Sequence, residues 1–268
     1  MTPRSPVATE QVQEFFDSEA RRYADAYTSP TPDGYAQRMR NAAVRRLLGP
    51  GSGALLDVGM GPGVLAAELT GLGWTVSGVD ISAAMVELAR RRLPGAGERF
   101  QVARIEALPF AEASFDAVCA MGVIEYASDQ SRAVSELARV LKRGGVGVLS
   151  LPNRTSLPVL WNTLILYPLM RAAKRVRPFG RRAPLRRRLP DTPARFAQQV
   201  SSLGFVVEAV AYANYQVLPA PFGQLFGRTS VTFARWLEQR GALPGTLAAT
   251  QVVFRVRLVG PRGGAAIR

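Results

Sequence analysis

Between about residue 10 and residue 48 apolar positions recur at helical spacing, broken by Ser29-Pro30-Thr31-Pro32-Asp33-Gly34, which predicts two helices joined by a turn. From Ala54 the rhythm shortens. Ala54–Val58, Thr75–Val79, Phe100–Ala103, Ala117–Ala120 and Val146–Leu151 are short apolar runs of strand length, and helical patterns over Val64–Leu72, Ser82–Arg92 and Ser131–Leu141 lie between them. Strand and helix in alternation predict βαβ units, hence an α/β fold with a doubly wound, mainly parallel sheet covered on both faces. Ligands of such sheets bind beyond the carboxyl ends of the strands.

After Asn153 the alternation stops for nearly forty residues. Leu157–Ala173 reads as an apolar or amphipathic helix, and Arg171–Arg188 carries nine basic residues and no acid. Asp191–Leu203 predicts another helix, with Asp191 or Thr192 as N-cap, Pro193 in its first turn and Gly204 at its end. Phe205–Tyr212 and Val252–Val259 add two strands, for seven in all. The expected organisation is a helical cover over residues 1–50, a core over 51–153, an insertion over 154–190 and a completion of the sheet over 191–268.

The net charge of +14 is unevenly placed. Residues 1–150 hold 16 Lys and Arg against 17 Asp and Glu, net −1, whereas residues 151–268 hold 18 against 3, net +15. A field of that sign attracts phosphates, anionic lipid or acidic substrates and says little about fold. Cys119 is the single cysteine, so an intramolecular disulfide and a cysteine-based zinc site are excluded. Met1–Ala8 lacks the apolar core of a signal peptide, and Leu157–Met170, interrupted by Asn162, Thr163 and Pro168, is too short to span a bilayer. A cytoplasmic location is expected, with no metal site.

Chemistry enters at Leu56-Asp57-Val58-Gly59-Met60-Gly61-Pro62-Gly63, where a strand ends in three alternating glycines and feeds a helix. Glycine lets the backbone turn sharply and approach a ligand with no Cβ between them. A nicotinamide fingerprint would be spaced G-x-G-x-x-G, so an oxidoreductase is disfavoured. The next strand ends in Asp80, placed where a carboxylate can accept hydrogen bonds from both hydroxyls of a ribose, which suits an unphosphorylated one.

Five segments repeat the order and spacing of one family: the glycine turn itself, Gly78-Val79-Asp80-Ile81-Ser82 with Met85, Ala107-Leu108-Pro109-Phe110, Ser114-Phe115-Asp116-Ala117-Val118, and Leu137-Ala138-Arg139-Val140-Leu141-Lys142-Arg143-Gly144-Gly145. Across roughly a hundred residues the chain resembles the class I S-adenosylmethionine-dependent methyltransferases of the ubiquinone and menaquinone biosynthesis type. The resemblance implies a seven-stranded Rossmann-like fold and S-adenosylmethionine as cofactor. It implies that Gly59, Gly61 and Gly63 pack against the methionine and ribose, that Asp57 faces the ammonium, that Asp80 binds the ribose, and that Ile81 and Met85 line the adenine. Met121 and Gly122 would border the sulfonium and the acceptor.

Two departures stand out. Many relatives place an Asp where this chain has Arg104-Ile105, and Arg only donates. Either Glu106 accepts from the adenine amino group or the backbone at Ile105 reads the ring. Relatives also commonly have Glu-His where this chain has Glu125-Tyr126, and the chain contains no histidine. A histidine base is therefore excluded, leaving an already nucleophilic acceptor or a carboxylate such as Glu125 or Asp129, with Tyr126 as a candidate either to shape the acceptor pocket or to donate a hydrogen bond. On the first two helices, Tyr23 and Tyr27 are candidates to fold over the cofactor, and Arg38 and Arg40 to neutralise its carboxylate.

The insertion bears on the acceptor. Two readings of Leu157–Arg188 stand side by side: a lid with a solvated basic loop, or a peripheral contact with anionic lipid, which an apolar helix followed by arginines suits and which would fit a lipophilic small-molecule or lipid acceptor. The basic run lacks the interleaved aromatics of a nucleic-acid stacking platform, which disfavours RNA methylation. A catalytically silent cofactor-binding or membrane-associated partner protein is the alternative to an enzyme. Oligomeric state is not legible.

Overall fold

The computed structural model describes residues 9–166, 168–169, 192–215, 229, 231–234, 236 and 244–260. Two helices open the chain, α1 (Thr9–Ala26) and α2 (Pro32–Leu48). Thr31 caps α2, its Oγ1 accepting from the Gly34 amide at 3.3 Å, and Pro32 takes the first helical position, where no amide hydrogen is needed.

Seven strands follow: β1 (Ala54–Val58), β2 (Thr75–Asp80), β3 (Phe100–Val102), β4 (Phe115–Ala120), β5 (Leu141–Pro152), β6 (Phe205–Tyr215) and β7 (Ala249–Leu258). They form one sheet in the order β3-β2-β1-β4-β5-β7-β6, parallel except for β7, which runs against β5 and β6. Among the described residues the named helices between them are α3 (Val64–Thr70), α4 (Ala83–Arg92), α5 (Gln130–Val140), α6 (Leu157–Trp161, continuing with π spacing to Leu166), α7 (Pro193–Ser202) and the short α8 (Gly245–Ala248).

The doubly wound architecture is as the periodicity predicts. α5 buries Ala133, Val134, Leu137 and Val140, one helical stripe, against Leu149, Leu151, Phe196 of α7 and Phe254. On the opposite face Ala43 and Val44 of α2, Leu65 and Leu69 of α3, and Val86 and Ala89 of α4 pack with Leu55, Val148 and Val253. β1 is an inner strand beside the central β4, paired in register with β2 on one side and β4 on the other. The chain reverses its direction of winding between β1 and β4, so a crevice opens beyond the carboxyl ends of those two strands.

Several boundaries differ from expectation. β5 begins at Leu141 rather than Val146, because Leu141 already pairs with Phe115 before a register shift. The Gly-Gly step, with Gly144 at φ 83°, bends the strand without ending it. β6 extends to Tyr215, and β7 begins at Ala249 and ends at Leu258. α6 turns to π spacing after Trp161, and the basic run Arg171–Arg188 lies outside the described residues, as does Asp191. Thr192 is the N-cap of α7, its Oγ1 3.4 Å from the Arg195 amide.

Candidate active site

β1 delivers Asp57 and then the glycine turn to the crevice. Gly59, Gly61 and Gly63 all adopt left-handed backbone, at φ 70°, 54° and 72°, which costs a side-chain-bearing residue about 1–2 kcal/mol each. Space forbids side chains as well. A Cβ on Gly59 would lie 2.9 Å from Val123 Cβ, and one on Gly63 2.9 Å from Ala89 Cβ. At Gly61 the same point faces Tyr23 of α1 at 3.7 Å, so this glycine looks into the crevice.

Two buried carboxylates flank the turn. Asp80 ends β2, its Oδ2 accepting from the Gly61 amide and its Oδ1 from the Ser82 amide, each at 2.9 Å. Burial raises its pKa to about 6, against the pull of those two amides, with the negative charge of Asp17 adding to the rise. Asp57 is 2% exposed, and its Oδ2 has no hydrogen-bond partner among the described residues. Burial, and secondly the charge of Asp80, push it to about 7. A buried carboxylate oxygen without a donor is a site for a cation, and among the described residues no cluster of His, Cys, Asp and Glu could hold a metal ion.

α1 and α2 close the crevice from above. Asp17 of α1 accepts from Ser82 Oγ at 2.6 Å and from the Ala84 amide at 3.2 Å, so it adds a second carboxylate to the N-terminus of α4. Ser82 Oγ in turn caps that helix by accepting from the Met85 amide at 3.1 Å. Phe16 stacks edge-on with Tyr126 at 5.4 Å and with Tyr23 at 6.4 Å, and Tyr23 with Tyr27 at 6.1 Å. The two arginines part company here. Arg38 is spent on the carbonyls of Tyr27 and Ser29, at 2.7 and 2.9 Å, holding the turn between the helices. Arg40 points into the crevice, donating to Tyr23 Oη at 3.2 Å. Burial works against its charge, but Tyr23, Tyr27 and Glu125 outweigh it and raise its pKa.

Arg40 meets the end of β4 at Gly122. A Cβ there would sit 2.7 Å from Arg40 Nη1 and 3.9 Å from Glu125 Oε1, and φ is 73°. The Gly122 amide donates to Ser150 Oγ of β5 at 2.9 Å. Glu125, in the short 3-10 turn Ile124–Tyr126, is 1% exposed beside that arginine. Met121 packs against the α2 side of the sheet. The crevice therefore gathers Asp57, the three glycines, Asp80, Gly122, Glu125 and Tyr126.

Other expected residues lie around its rim. Ile81 is half-buried after β2, and Met85 is 1% exposed on α4. Ile105 is buried among Leu56, Val79 and Leu108 in the core. Glu106 Oε1 already accepts from the Ser128 amide at 2.7 Å and its hydroxyl at 2.8 Å, while Arg104 Nε stands 3.7 Å from Oε2. Burial alone would raise this carboxyl, but Ser128 and Arg104 hold it below the usual range. To accept from a ligand it would have to share that oxygen or turn Oε2 outward. Asp129 is the N-cap of α5, its Oδ1 3.0 Å from the Arg132 amide. Sequence reasoning missed Asp17, Phe16, Ser150, Gln37, Asn41 and Gln251. Ser150 alone left a signal, as a hydroxyl amid an apolar strand.

Comparison with known proteins places this geometry. A family of sequences described as methyltransferase domain matches residues 56–149. The chain is 34% identical over 167 residues to a ubiquinone/menaquinone biosynthesis C-methyltransferase of Geotalea uraniireducens, a match covering 59% of this chain and 71% of the relative. It is 31% identical over 222 residues to a malonyl-[acyl-carrier protein] O-methyltransferase of Enterobacter lignolyticus, covering 78% and 85%. Of several other ubiquinone/menaquinone C-methyltransferases the chain spans only 55 to 60% of their length. Among solved structures, the [4+2]-cyclase SpnF superposes with a TM-score of 0.63 at 19% identity, over 97% of this chain and 98% of that one. That likeness is one of fold alone, since one fold hosts unrelated chemistries.

Proposed function

The chain belongs to the class I S-adenosylmethionine-dependent methyltransferases, and from that premise we propose that it methylates a small, lipophilic acceptor held between the glycine turn and the 3-10 turn that follows β4. The observation that carries the reading is the unpartnered, buried Oδ2 of Asp57 beside three left-handed glycines and the carboxylate of Asp80. These residues fit the cofactor's groups: a carboxylate without a donor for an ammonium, a second for two ribose hydroxyls, and backbone with no Cβ for close approach.

S-adenosylmethionine supplies an electrophilic methyl group on a sulfonium. The chain's own residues bind and orient. Asp57 takes the ammonium and Asp80 the ribose, while Gly59, Gly61 and Gly63 let the backbone lie against them. Ile81 and Met85 line the adenine, with the backbone at Ile105 and the carboxylate of Glu106 at its edge. Met121 and Gly122 border the acceptor, and of the two candidate arginines Arg40, which reaches Tyr23 and Gly122, neutralises the methionine carboxylate, while Arg38 is held by the carbonyls of Tyr27 and Ser29.

With no histidine in the chain, an imidazole base is excluded. Glu125 and Tyr126 are the acceptor-facing pair, Glu125 as the nearby carboxylate and Tyr126 as an aromatic wall stacked on Phe16. Alignment of an acceptor that is itself nucleophilic supplies the rest of the rate. Titration calorimetry with S-adenosylmethionine, and release of S-adenosylhomocysteine with a panel of phenols, quinols and acyl carriers, test this. No heat of binding to the parent protein would overturn it.

The acceptor's source is proposed to be a membrane. Leu157, Leu164 and Leu169 are 63%, 68% and 62% exposed, and Leu160 and Ile165 are also exposed, at helical spacing along and beyond α6. Nine basic residues follow at once in sequence. An apolar stripe next to arginines suits an anionic lipid surface. Among the described residues no helix is long and apolar enough to cross a membrane. The protein would work from the cytoplasmic side at that surface. The division into a cover (1–50), a cofactor core (51–153), an insertion (154–190) and a completing segment (191–268) is part of the same proposal.

A further inference from the structure

Three buried amide atoms near the acceptor side of the crevice have no hydrogen-bond partner among the described residues: Gln37 Oε1, Asn41 Nδ2 and Gln251 Oε1. Their side chains belong to residues only 4%, 5% and 8% exposed. Buried polar groups are almost always satisfied, and each exception asks what satisfies it.

These three share one place in the fold. On α2, Gln37, Arg40, Asn41 and Val44 fall on a single face at 100° per residue. Val44 of that face belongs to the same apolar cluster as Val148 of β5, Ala211 and Ala213 of β6, and Val253 of β7. Side chains alternate along a strand, so Gln251 projects to the same side as Val253. Gln251 pairs with Pro152 and Ala213, which puts it level with the carboxyl end of β5. Two residues before Pro152, Ser150 accepts from the Gly122 amide, the point that Arg40 meets. The amides thus flank the proposed acceptor position on the side away from Asp80, which lies on the far side of β1 in the sheet.

From this we infer that Gln37, Asn41 and Gln251 form the polar end of the acceptor subsite and recognise an uncharged head bearing hydroxyl and carbonyl oxygens. An amide presents both a carbonyl acceptor and N–H donors. Three of them, uncharged, match a neutral hydroxyaryl ketone or hydroxyquinone better than a phosphate or an ammonium. The exposed apolar stripe of α6 then concerns the tail of the acceptor and these amides its head. The inference rests on the methyl-transfer reading but concerns a different ligand, so the two are separable.

The test uses the full chain saturated with S-adenosylhomocysteine and labelled with nitrogen-15. Side-chain NH2 resonances of Gln37, Asn41 and Gln251 are identified by their loss in Gln37→Leu, Asn41→Leu and Gln251→Leu. Addition of 2,4-dihydroxyacetophenone is expected to move all three, and acetophenone, which lacks the hydroxyls, to move them far less. Gln251→Leu is expected to weaken the dihydroxy probe about tenfold, with S-adenosylhomocysteine affinity within about twofold of the parent. Should the leucine variant not fold, Gln251→Glu keeps the shape and serves in its place. Silent amide resonances at saturating probe, or an equal loss of nucleoside affinity in the Gln251 variant, overturn the inference. A parent that binds no nucleoside sinks instead the methyl-transfer reading.

Discussion

Asp80 Oδ2 accepts a hydrogen bond from the Gly61 amide at 2.9 Å, so the carboxylate proposed to grip the ribose also holds the glycine turn in its bend. One substitution therefore strikes both. Asp80→Ala removes two charge-assisted hydrogen bonds to the nucleoside, each worth about 1.5–3 kcal/mol, and S-adenosylmethionine affinity is expected to fall at least a hundredfold by calorimetry. Asp80→Asn keeps an acceptor for Gly61 and should lose less of the melting temperature than Asp80→Ala. Equal melting points for the two variants would separate the turn from the carboxylate.

Stability of the ligand-free protein carries the mark of Asp57 and Asp80. Their folded-state values, about 7 and about 6, lie above the ordinary carboxylate value near about 4. The folded chain thus holds protons that the unfolded chain has lost. Their contribution to stability is full below about pH 4 and declines as pH climbs through about 6 and about 7. Differential scanning calorimetry should show the parent losing ground to Asp57→Asn between pH 5 and pH 8. Saturating cofactor should stabilise the parent more at pH 8 than at pH 5.5, since an ammonium pairs with the ionised form of Asp57.

The bond between Asp17 and Ser82 ties α1 to the start of α4. Breaking it by Asp17→Ala is expected to cost about 1–2 kcal/mol and to raise hydrogen exchange in α1 selectively. Because Tyr23 and Phe16 ride on the same helix, S-adenosylmethionine should dissociate faster from the variant in stopped-flow measurements. Unchanged exchange in α1 would mean that its aromatic contacts hold it unaided.

Gly122 leaves room for a guanidinium. In Gly122→Ala the added methyl would sit 2.7 Å from Arg40 Nη1, and left-handed backbone adds about 1 kcal/mol. Displacing Arg40 from the proposed methionine carboxylate should weaken S-adenosylmethionine at least tenfold while leaving 5′-methylthioadenosine, which lacks that carboxylate, within about twofold. Equal loss for both ligands would assign Arg40 elsewhere.

Sedimentation with vesicles tests the lipid proposal. Leu164→Asp and Leu169→Asp should cut binding to phosphatidylglycerol vesicles several-fold, without effect on S-adenosylmethionine affinity. No binding of the parent to such vesicles at low salt would end the proposal.

Much of the fold was legible because its signals are local. Asp57-Val58-Gly59 marks a strand end, the stripe Ala133, Val134, Leu137, Val140 marks a helix, and their alternation sets a parallel sheet. What escaped depends on residues distant in sequence. Nothing in Asp17 itself announces a hydrogen bond to Ser82, and Arg38 and Arg40 look alike until the helix phase turns one to the carbonyls of Tyr27 and Ser29 and the other to Gly122. The start of β5 was missed because a glycine pair ordinarily ends a strand, whereas here pairing resumes beyond a register shift. Gln37, Asn41 and Gln251 each read as unremarkable polar positions, and only the packing of α2 on the sheet brings them to one side.

The reversed direction of β7 has a consequence for how such a protein diversifies. β6 ends at Tyr215 and β7 starts at Ala249 on the same edge of the sheet where β1 and β4 release the chain toward the cofactor. The connection between them therefore begins and ends at that edge, and its length can change without disturbing a single pairing of β1, β2 or β4. Variation in that connection thus leaves the nucleoside end of the sheet intact, and a chimera taking residues 216–248 from a homologue should keep the S-adenosylmethionine affinity of the parent.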